Sequence, residues 1–388
     1  MKLRLLVAAG SFLVTLIILE LSLRSYYWLS AQQFFHPNPQ ETTITWQNDP
    51  LLGRRLTPKQ QGWFVSSTKE YFTWITVNQA GWPDADHSFA KPADTFRIVI
   101  IGDSFVENFQ VPFHQTFFRQ LQDKLNNKLL DKKIEVIALG LGDSGTAQQY
   151  LILKNYALIY QPDLVIQFFF SGNDVKNNSL ILQGDPHRPY FKLENNQVVL
   201  QSFTTKNSLF PQNMLIFFKD HSKLLTLILN FKGQIINRFS TDLNDYPIDY
   251  HVYDQNPSAD YQAAWELTLR LLLLEKQTAE TAGAKFLLVT LANNEQVNKN
   301  VWPEIQNTYP KLKTASLDLK KPDEILAEFC QINNLDCLFT LSFFQDFVKQ
   351  NPATPTHFQK DGHWSQTGTN LVANFLTEKL APMLEFKR

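Results

Sequence analysis

Four short polar motifs in this chain carry the residue types that nucleophilic catalysis requires. Ser104 ends a Gly-Asp-Ser turn, Gly145 ends a glycine-rich turn, Asn173 lies in a Ser-Gly-Asn-Asp turn, and Asp361 stands two residues before His363. A serine hydroxyl attacks an ester carbonyl when a histidine accepts its proton, and a carboxylate orients that histidine. Backbone N–H groups and an asparagine side chain stabilise the oxyanion that forms. These residue types fit a site with a serine nucleophile.

Each motif alone also has a structural explanation. Glycine, aspartate, asparagine and serine favour turns, so the sequences around Ser104 and Asn173 are ordinary turn sequences when taken singly. The glycines of residues 140–145 fit a tight turn or a close backbone approach. A histidine before a helix is usually structural, although an aspartate two residues earlier can fix its tautomer and stabilise its imidazolium. The functional interpretation therefore depends on the motifs lying together.

Strand patterns explain how the motifs meet. Apolar runs at residues 98–101, 134–139, 163–170, 286–290 and 338–341 are typical of strands buried in a sheet. Ser104, Gly145 and Asn173 each follow one of the first three runs. Parallel strands end at a common edge, where α/β folds bind ligands, so we expect these three residues at one edge of a sheet.

Helical patterns alternate with these strands. Apolar spacings of three and four predict helices over residues 117–129, 146–160, 260–281 and 323–332, and a last helix whose apolar face runs from residue 371 to 380. Ser365 or Thr367 is a suitable N-cap for the last of them. An alternating segment over residues 190–203 predicts a hairpin with Asn195 and Asn196 as its turn.

The four motifs occur in the order found in the SGNH (GDSL-type) hydrolase superfamily, which the chain resembles over about residues 95–385. Ser104 resembles the serine of block I, Gly145 the glycine of block II, Asn173 the asparagine of block III, and Asp361 with His363 block V. The resemblance implies a flavodoxin-like α/β/α fold with a five-stranded parallel sheet, which the strand count supports independently. No cofactor and no metal are expected.

The resemblance also implies roles for these residues. Ser104 would be the nucleophile, His363 the base and Asp361 the residue that orients it. The oxyanion hole would comprise the N–H groups of Ser104 and Gly145 and the side chain of Asn173. We predict a serine esterase acting on ester-linked acyl groups, including O-acetyl groups of glycans. The alternatives are an O-acetyltransferase of cell-surface polysaccharide using the same site and a non-catalytic assembly protein with the same fold.

Two positions depart from the family pattern. The familiar spacing is Asp-x-x-His, whereas Asp361 and His363 are separated by one residue, as in membrane-anchored and polysaccharide O-acetylating relatives. Gly140 stands where many members have asparagine. Gly142 is therefore an alternative to Gly145 in block II, and Gly145 is preferred for its spacing from the strand.

The N-terminal segment predicts a membrane anchor. Residues 5–19 are almost wholly apolar, follow two basic residues, and are extended past Glu20 to a Tyr-Tyr-Trp cluster at residues 26–28. The basic amino end favours a cytoplasmic start, which places the remainder outside the cytoplasm at the periplasmic or cell-surface side. A cleaved signal peptide is the competing interpretation, but no small-x-small cleavage site follows.

We therefore divide the chain into an anchor or signal sequence (1–28), a stalk and edge-packing segment (29–94) and a hydrolase domain (95–388). The hydrolase domain carries an insertion at about residues 176–257. Within it, the apolar run 209–239 predicts helix, and a lid, a membrane-facing surface and core packing all fit that run.

Composition limits the possible partners. The 36 basic and 37 acidic residues leave the chain almost neutral, which gives no electrostatic case for nucleic acid. The expected partners are a small-molecule or glycan ester and, through the N-terminal helix, a membrane. Cys330 and Cys337 would form a disulfide outside the cytoplasm or remain as buried thiols.

Overall fold

The computed structural model of the chain describes residues 2–31, 42–201, 203, 222–225, 227–228 and 246–385. The chain divides into two units: Met1–Thr43 with Asn207–Leu243, and Ile44–Lys206 with Asn244–Arg388. Of the predicted helical run 209–239, all but residues 222–225, 227 and 228 lie outside the described residues. The predicted domain boundaries remain predictions.

The elements follow one another in the order expected of an α/β domain. The strands are β1 (Trp46–Asp49), β2 (Gly53–Leu56), β3 (Gln61–Val65), β4 (Phe72–Thr76), β5 (Thr95–Gly102), β6 (Lys133–Gly140), β7 (Leu164–Phe170), β8 (Phe191–Glu194), β9 (Gln197–Leu200), β10 (Lys285–Leu291) and β11 (Cys337–Phe339). The helices are α1 (Lys2–Ala31), α2 (Ser104–Glu107), α3 (Phe117–Lys128), α4 (Thr146–Ile152), α5 (Leu180–Gln183), α6 (Ala259–Thr281), α7 (Asn294–Val297), α8 (Val301–Thr308), α9 (Lys321–Ile332), α10 (Leu341–Gln350) and α11 (Gln366–Glu385).

In the first unit, α1 contains an apolar stretch, Leu6–Tyr26, of 21 residues. Among the described residues, α1 is the one helix long and apolar enough to cross a bilayer. Glu20 lies within the stretch and forms an ion pair with Arg24 at 2.7 Å. Its carboxylate also accepts hydrogen bonds from the Ser222 hydroxyl and from the N–H groups of Lys223 and Leu224. Protein donors therefore satisfy the charge that interrupts this apolar helix.

In the second unit, the central sheet has the order β11-β10-β7-β5-β6, and every pair in it is parallel. This is the flavodoxin-like order, in which the chain adds β6 on one side of β5 and then continues on the other side with β7. The predicted five-stranded parallel sheet is confirmed. The switch point between β5 and β7 is the place where such sheets bind ligands.

Alternate residues of the strands pack on opposite faces of the sheet. Ile98 and Ile100 of β5 belong to a core that includes the buried faces of α3 and α11, whereas Val99 and Ile101 join a core that includes α4 and α6. Helices therefore cover both faces, which makes three layers. Complete burial of these β-branched side chains explains why β5 is apolar at four consecutive positions.

The predicted hairpin at residues 190–203 is confirmed as β8 and β9. Asn195 and Asn196 form its two-residue turn with φ angles of 51° and 62°. Both angles lie in the left-handed region, which asparagine tolerates better than most residues and which matches the twist of a hairpin.

Two further sequence questions are answered by the structure. The segment 146–160, predicted as one helix, is α-helical only to Ile152 and continues as a π turn and a 3-10 turn. Cys330 at the end of α9 and Cys337 at the start of β11 form a disulfide, with Cα atoms 6.4 Å apart. Closing so short a loop stabilises the fold by about 2–3 kcal/mol through the unfolded chain.

Candidate active site

The turn after β5 places Ser104 at the carboxyl edge of the sheet. α2 begins at Ser104, and the Asp103 side chain caps it by accepting a hydrogen bond from the Phe105 N–H at 2.9 Å. The serine hydroxyl is thus held at the start of a helix beside the β5–β7 switch point. A long apolar strand followed by a capped turn is the local pattern that exposes a side chain at this edge.

The loop between His357 and Trp364 carries the other half of the site. A backbone bridge joins these two residues, and Trp364 is fully buried. Within the loop, Gly362 has a φ of +82°, a conformation that glycine adopts without strain. The turn at Gly362 lets Asp361 and His363 face each other although only one residue separates them.

The structure brings Ser104, His363 and Asp361 into one hydrogen-bonded line. Ser104 Oγ lies 2.7 Å from His363 Nε2, and His363 Nδ1 lies 2.5 Å from Asp361 Oδ1. In such a line the imidazole can accept the hydroxyl proton while the carboxylate holds the opposite ring N–H. The Phe105 ring packs against the imidazole with centroids 4.8 Å apart, which restricts the orientation of the ring.

The predicted oxyanion-hole residues follow β6 and β7 at the same edge of the sheet. Asn173 donates a hydrogen bond from Nδ2 to Asp103 Oδ2 at 2.9 Å, which leaves its amide a second N–H hydrogen. In the described part of the chain, the N–H groups of Ser104 and Gly145 donate to no other residue. At this edge of the sheet, three N–H donors therefore have no described protein acceptor.

Gly140 and Gly142 serve packing, because α2 lies directly against both of them. A Cβ on Gly140 would lie 2.0 Å from the Glu107 N atom, so a side chain such as asparagine does not fit here. A Cβ on Gly142 would lie 2.5 Å from Glu107 Oε2, so the Glu107 side chain packs directly against this glycine. Gly145 is therefore the better candidate for the oxyanion donor.

Three buried carboxyl groups lie beside the candidate nucleophile. Burial raises the pKa of Asp103 to about 6, although hydrogen bonds from Phe105 and Asn173 oppose the shift. Burial raises the pKa of Glu107 to about 7, against the opposing charge of Arg54. The pKa of Asp174 is raised well above its usual range by burial and by the Asp103 charge. Glu107 was not singled out by the sequence, since no local pattern marks its burial.

Replacing Glu107 with glutamine is expected to stabilise the fold at pH 8 more than at pH 5. The folded pKa of Glu107, about 7, lies above the ordinary 4.5. The contribution of protonated Glu107 to the stability of the fold is therefore fully present below pH 4.5 and is lost as the pH rises through 7. By pH 8 the buried charge costs about 3 kcal/mol, which the neutral amide avoids. Thermal melts at both pH values measure the difference.

Glu266→Gln is the matched control, because Glu266 is exposed on α6. We expect its melting temperature to follow the wild type at both pH values. A Glu107→Gln melting curve displaced equally at pH 5 and pH 8 would contradict the predicted ionisation of the buried group.

A cleft of about 470 Å³ opens beside His363 and Asn173. Its walls combine aromatic rings with charged groups, including Tyr250, Tyr309, Glu304 and Lys360. These side chains come from the segment before α6, from α8 and its following turn, and from the loop before α11. The sequence patterns did not predict that these residues line a common cleft, because they are far apart in the chain.

Glu70 and Tyr71, at the end of the β3–β4 connection, also contact the loop that carries Asp361. They are 290 or more residues from their partners in the chain. No spacing rule connects positions so distant, and the sequence assigned this segment only to edge packing.

No protein-family model and no curated protein matches this chain. The chain is similar to solved structures at low identity. An acetyl xylan esterase is 14% identical, with 74% of this chain and 100% of that chain covered and a TM-score of 0.41. An acetyl-xylooligosaccharide esterase from Geobacillus Stearmophilus, solved as a variant, is 12% identical, with 73% and 93% covered and a TM-score of 0.40. A lipase/acylhydrolase from Enterococcus faecalis is 15% identical, with 74% and 96% covered and a TM-score of 0.35.

Proposed function

We propose that this chain is an SGNH-type serine esterase that hydrolyses ester-linked acyl groups. The observation that carries the proposal is the line from the Ser104 hydroxyl through the His363 imidazole to the Asp361 carboxylate. This line stands at the β5–β7 switch point and adjoins an open cleft. Serine, histidine and carboxylate in this order are the groups required for nucleophilic attack on an ester.

The reaction follows from the geometry of these groups. Neutral His363 accepts the Ser104 proton as the hydroxyl oxygen attacks the ester carbonyl. The tetrahedral intermediate then collapses, and the imidazolium returns the proton to the departing alcohol. Water, deprotonated by the same imidazole, releases the acyl group from Ser104. Asp361 stabilises the imidazolium in both halves of the cycle.

The oxyanion is assigned to the N–H groups of Ser104 and Gly145 and to the Asn173 amide. The hydrogen bond from Asn173 to Asp103 fixes the amide before substrate binds, so the donor needs no reorientation during the reaction. Loss of one such donor typically lowers turnover by about 10²–10³-fold.

O-acetyl groups on glycans are the substrate class that we propose. Small acyl groups suit the site because Phe105 and Phe170, whose ring centroids lie 4.6 Å apart, flank the cleft beside His363. The alcohol part would lie along the wall that contains Tyr250, Tyr309 and Glu304. Aromatic rings and hydrogen-bonding groups together suit a hydroxyl-rich alcohol such as a sugar.

The test is an activity panel on the full-length chain in detergent. It comprises an acetyl aryl ester, a longer-chain aryl ester, an acetylated glycan, and that glycan with an unacetylated acceptor. We expect release of acetate from the first and third. No turnover of any ester, together with no labelling by a serine-reactive phosphonate, would refute the esterase. Acetylated acceptor formed in place of free acetate would identify the transferase instead.

We also propose that the hydrolase unit is held outside the cytoplasm by α1. The apolar stretch Leu6–Tyr26, the basic residues before it and the disulfide between Cys330 and Cys337 support this placement. Alkaline carbonate extraction of membranes tests whether α1 is an anchor. If it is, the intact chain stays in the membrane pellet. Recovery of a shortened chain in the soluble fraction would indicate a cleaved signal sequence.

A further inference from the structure

The segment before the central sheet reaches into the candidate active site. Glu70 and Tyr71 lie between β3 and β4, outside the part of the chain that resembles the hydrolase family. We propose that both are positioning residues, which fix the Asp361 carboxylate against His363. This inference rests on the proposed esterase function and extends the catalytic unit to include the β3–β4 hairpin.

Glu70 holds the backbone of the loop that carries Asp361. Its carboxylate accepts hydrogen bonds from the Asp361 N–H at 2.7 Å and from the Lys360 N–H at 3.0 Å. The Thr68 hydroxyl donates to the same carboxylate at 2.9 Å, and the Glu70 N–H donates to Ser66. Glu70 is therefore itself fixed by its own turn while it binds the two N–H groups.

Tyr71 holds the side chain of Asp361. Its hydroxyl lies 3.3 Å from each oxygen of the Asp361 carboxylate and accepts a hydrogen bond from Gln110. The Tyr71 ring is buried and packs on Phe358, at the start of the same loop, with centroids 4.7 Å apart. Burial and the nearby Asp361 charge raise the pKa of Tyr71, so its hydroxyl remains a donor across the physiological range.

The Asp-x-His spacing explains why external support is needed. Gly362 alone separates the carboxylate from the imidazole, and glycine gives this turn no side chain to restrain it. Gln359 and Lys360 are exposed. Within the loop, backbone hydrogen bonds join Phe358 to Gly362 and His363, but neither involves Asp361. The contacts from Glu70 and Tyr71 supply the restraint at Asp361.

The Tyr71 hydroxyl should also change the pH dependence of the reaction. Its hydrogen bond withdraws negative charge from Asp361. Without that bond the carboxylate is oriented less firmly, but it bears more charge and so stabilises the imidazolium form of His363 more strongly. Since turnover requires neutral His363, the acid limb of kcat/KM should move to higher pH.

The other titratable groups around this pair come from neighbouring elements. Asp103 and Glu107 lie on the turn and helix after β5, and His357 lies at the start of the same loop. The Glu70 carboxylate accepts hydrogen bonds from the N–H groups of Asp361 and of its neighbour Lys360. All five are unchanged in a Tyr71→Phe variant, so a shift of the acid limb is assigned to the lost hydroxyl.

The experiment compares Tyr71→Phe with Tyr156→Phe in the full-length protein. Tyr156 is a matched control, because its hydroxyl also donates to a carboxylate, that of Asp49, at 3.1 Å. Like the Tyr71–Asp361 contact, this hydrogen bond joins the segment 29–94 to the domain 95–388. For Tyr71→Phe we expect kcat to fall about tenfold on an acetyl aryl ester, with KM unchanged and the acid limb at higher pH. For Tyr156→Phe we expect wild-type kinetics and an unmoved pH profile.

Glu70 is tested with two variants of different severity. Glu70→Ala removes both acceptors, and Glu70→Gln retains one, so the glutamine variant should recover part of the activity that alanine loses. Equal kinetics in Tyr71→Phe and Tyr156→Phe, or a Tyr71→Phe profile that keeps its acid limb, would overturn the inference. An inactive and unlabelled wild-type protein is a separate result, which removes the esterase itself and this inference with it.

Discussion

Replacing Ser104 with alanine is expected to lower turnover of an acetyl aryl ester by about 10⁴–10⁶-fold. The hydroxyl at this position is the one placed 2.7 Å from the His363 Nε2 atom. Under the proposed mechanism no acyl-enzyme forms without it. Ester binding should change little, because the cleft walls are contributed by other residues. Steady-state kinetics on the full-length protein measure the loss.

Labelling gives a second readout of the same variant. A serine-reactive phosphonate should modify the wild type at Ser104 and leave the Ser104→Ala protein unmodified. Ser316→Ala is the control, since Ser316 is exposed and its hydroxyl donates to Gln255. Turnover that persists in the Ser104 variant would show that another residue is the nucleophile.

Replacing His363 with alanine is expected to cost nearly as much as the loss of Ser104. The serine hydroxyl is a poor nucleophile without a base, and His363 is the imidazole in contact with it. Under the proposed mechanism the two residues act as one unit, so the double variant should be no slower than either single variant.

Imidazole in the buffer provides a test that separates chemistry from folding. It should partly restore turnover to His363→Ala, because the variant leaves a space beside Ser104 for the missing ring. It should not restore turnover to Ser104→Ala. His114→Ala, which alters an exposed histidine, should match the wild type throughout. If the loss of turnover in the double variant equalled the product of the two single losses, the two residues would act separately.

The parallel sheet was predictable because burial on both faces requires apolar, β-branched residues over the whole strand. β5 lies completely inside the sheet, and its run of four branched side chains is a direct consequence. The β8–β9 hairpin was predictable for a similarly local reason, since Asn195 and Asn196 suit its turn. The segment 146–160 was predicted less well, because its apolar residues continue past Ile152, where the α-helical hydrogen bonds end.

The motifs of the candidate site were visible because each lies at a strand end, where chain direction and residue type are coupled. Their mutual distances were not visible. The turn at Gly362, for example, lets Asp361 reach His363 at the short Asp-x-His spacing. The need for glycine at positions 140 and 142 could not be predicted either, because it depends on how closely α2 approaches them in the folded chain.

By itself, the sequence determined the residue types, the order of the strands along the chain and the turns that expose Ser104 and Asn173. Tertiary structure alone decided that Glu70 and Tyr71 meet a loop 290 residues away, that Glu107 is buried, and that Cys330 pairs with Cys337. The reason is physical: periodicity records what each residue's own segment buries, whereas a contact between distant segments depends on how the whole chain is connected.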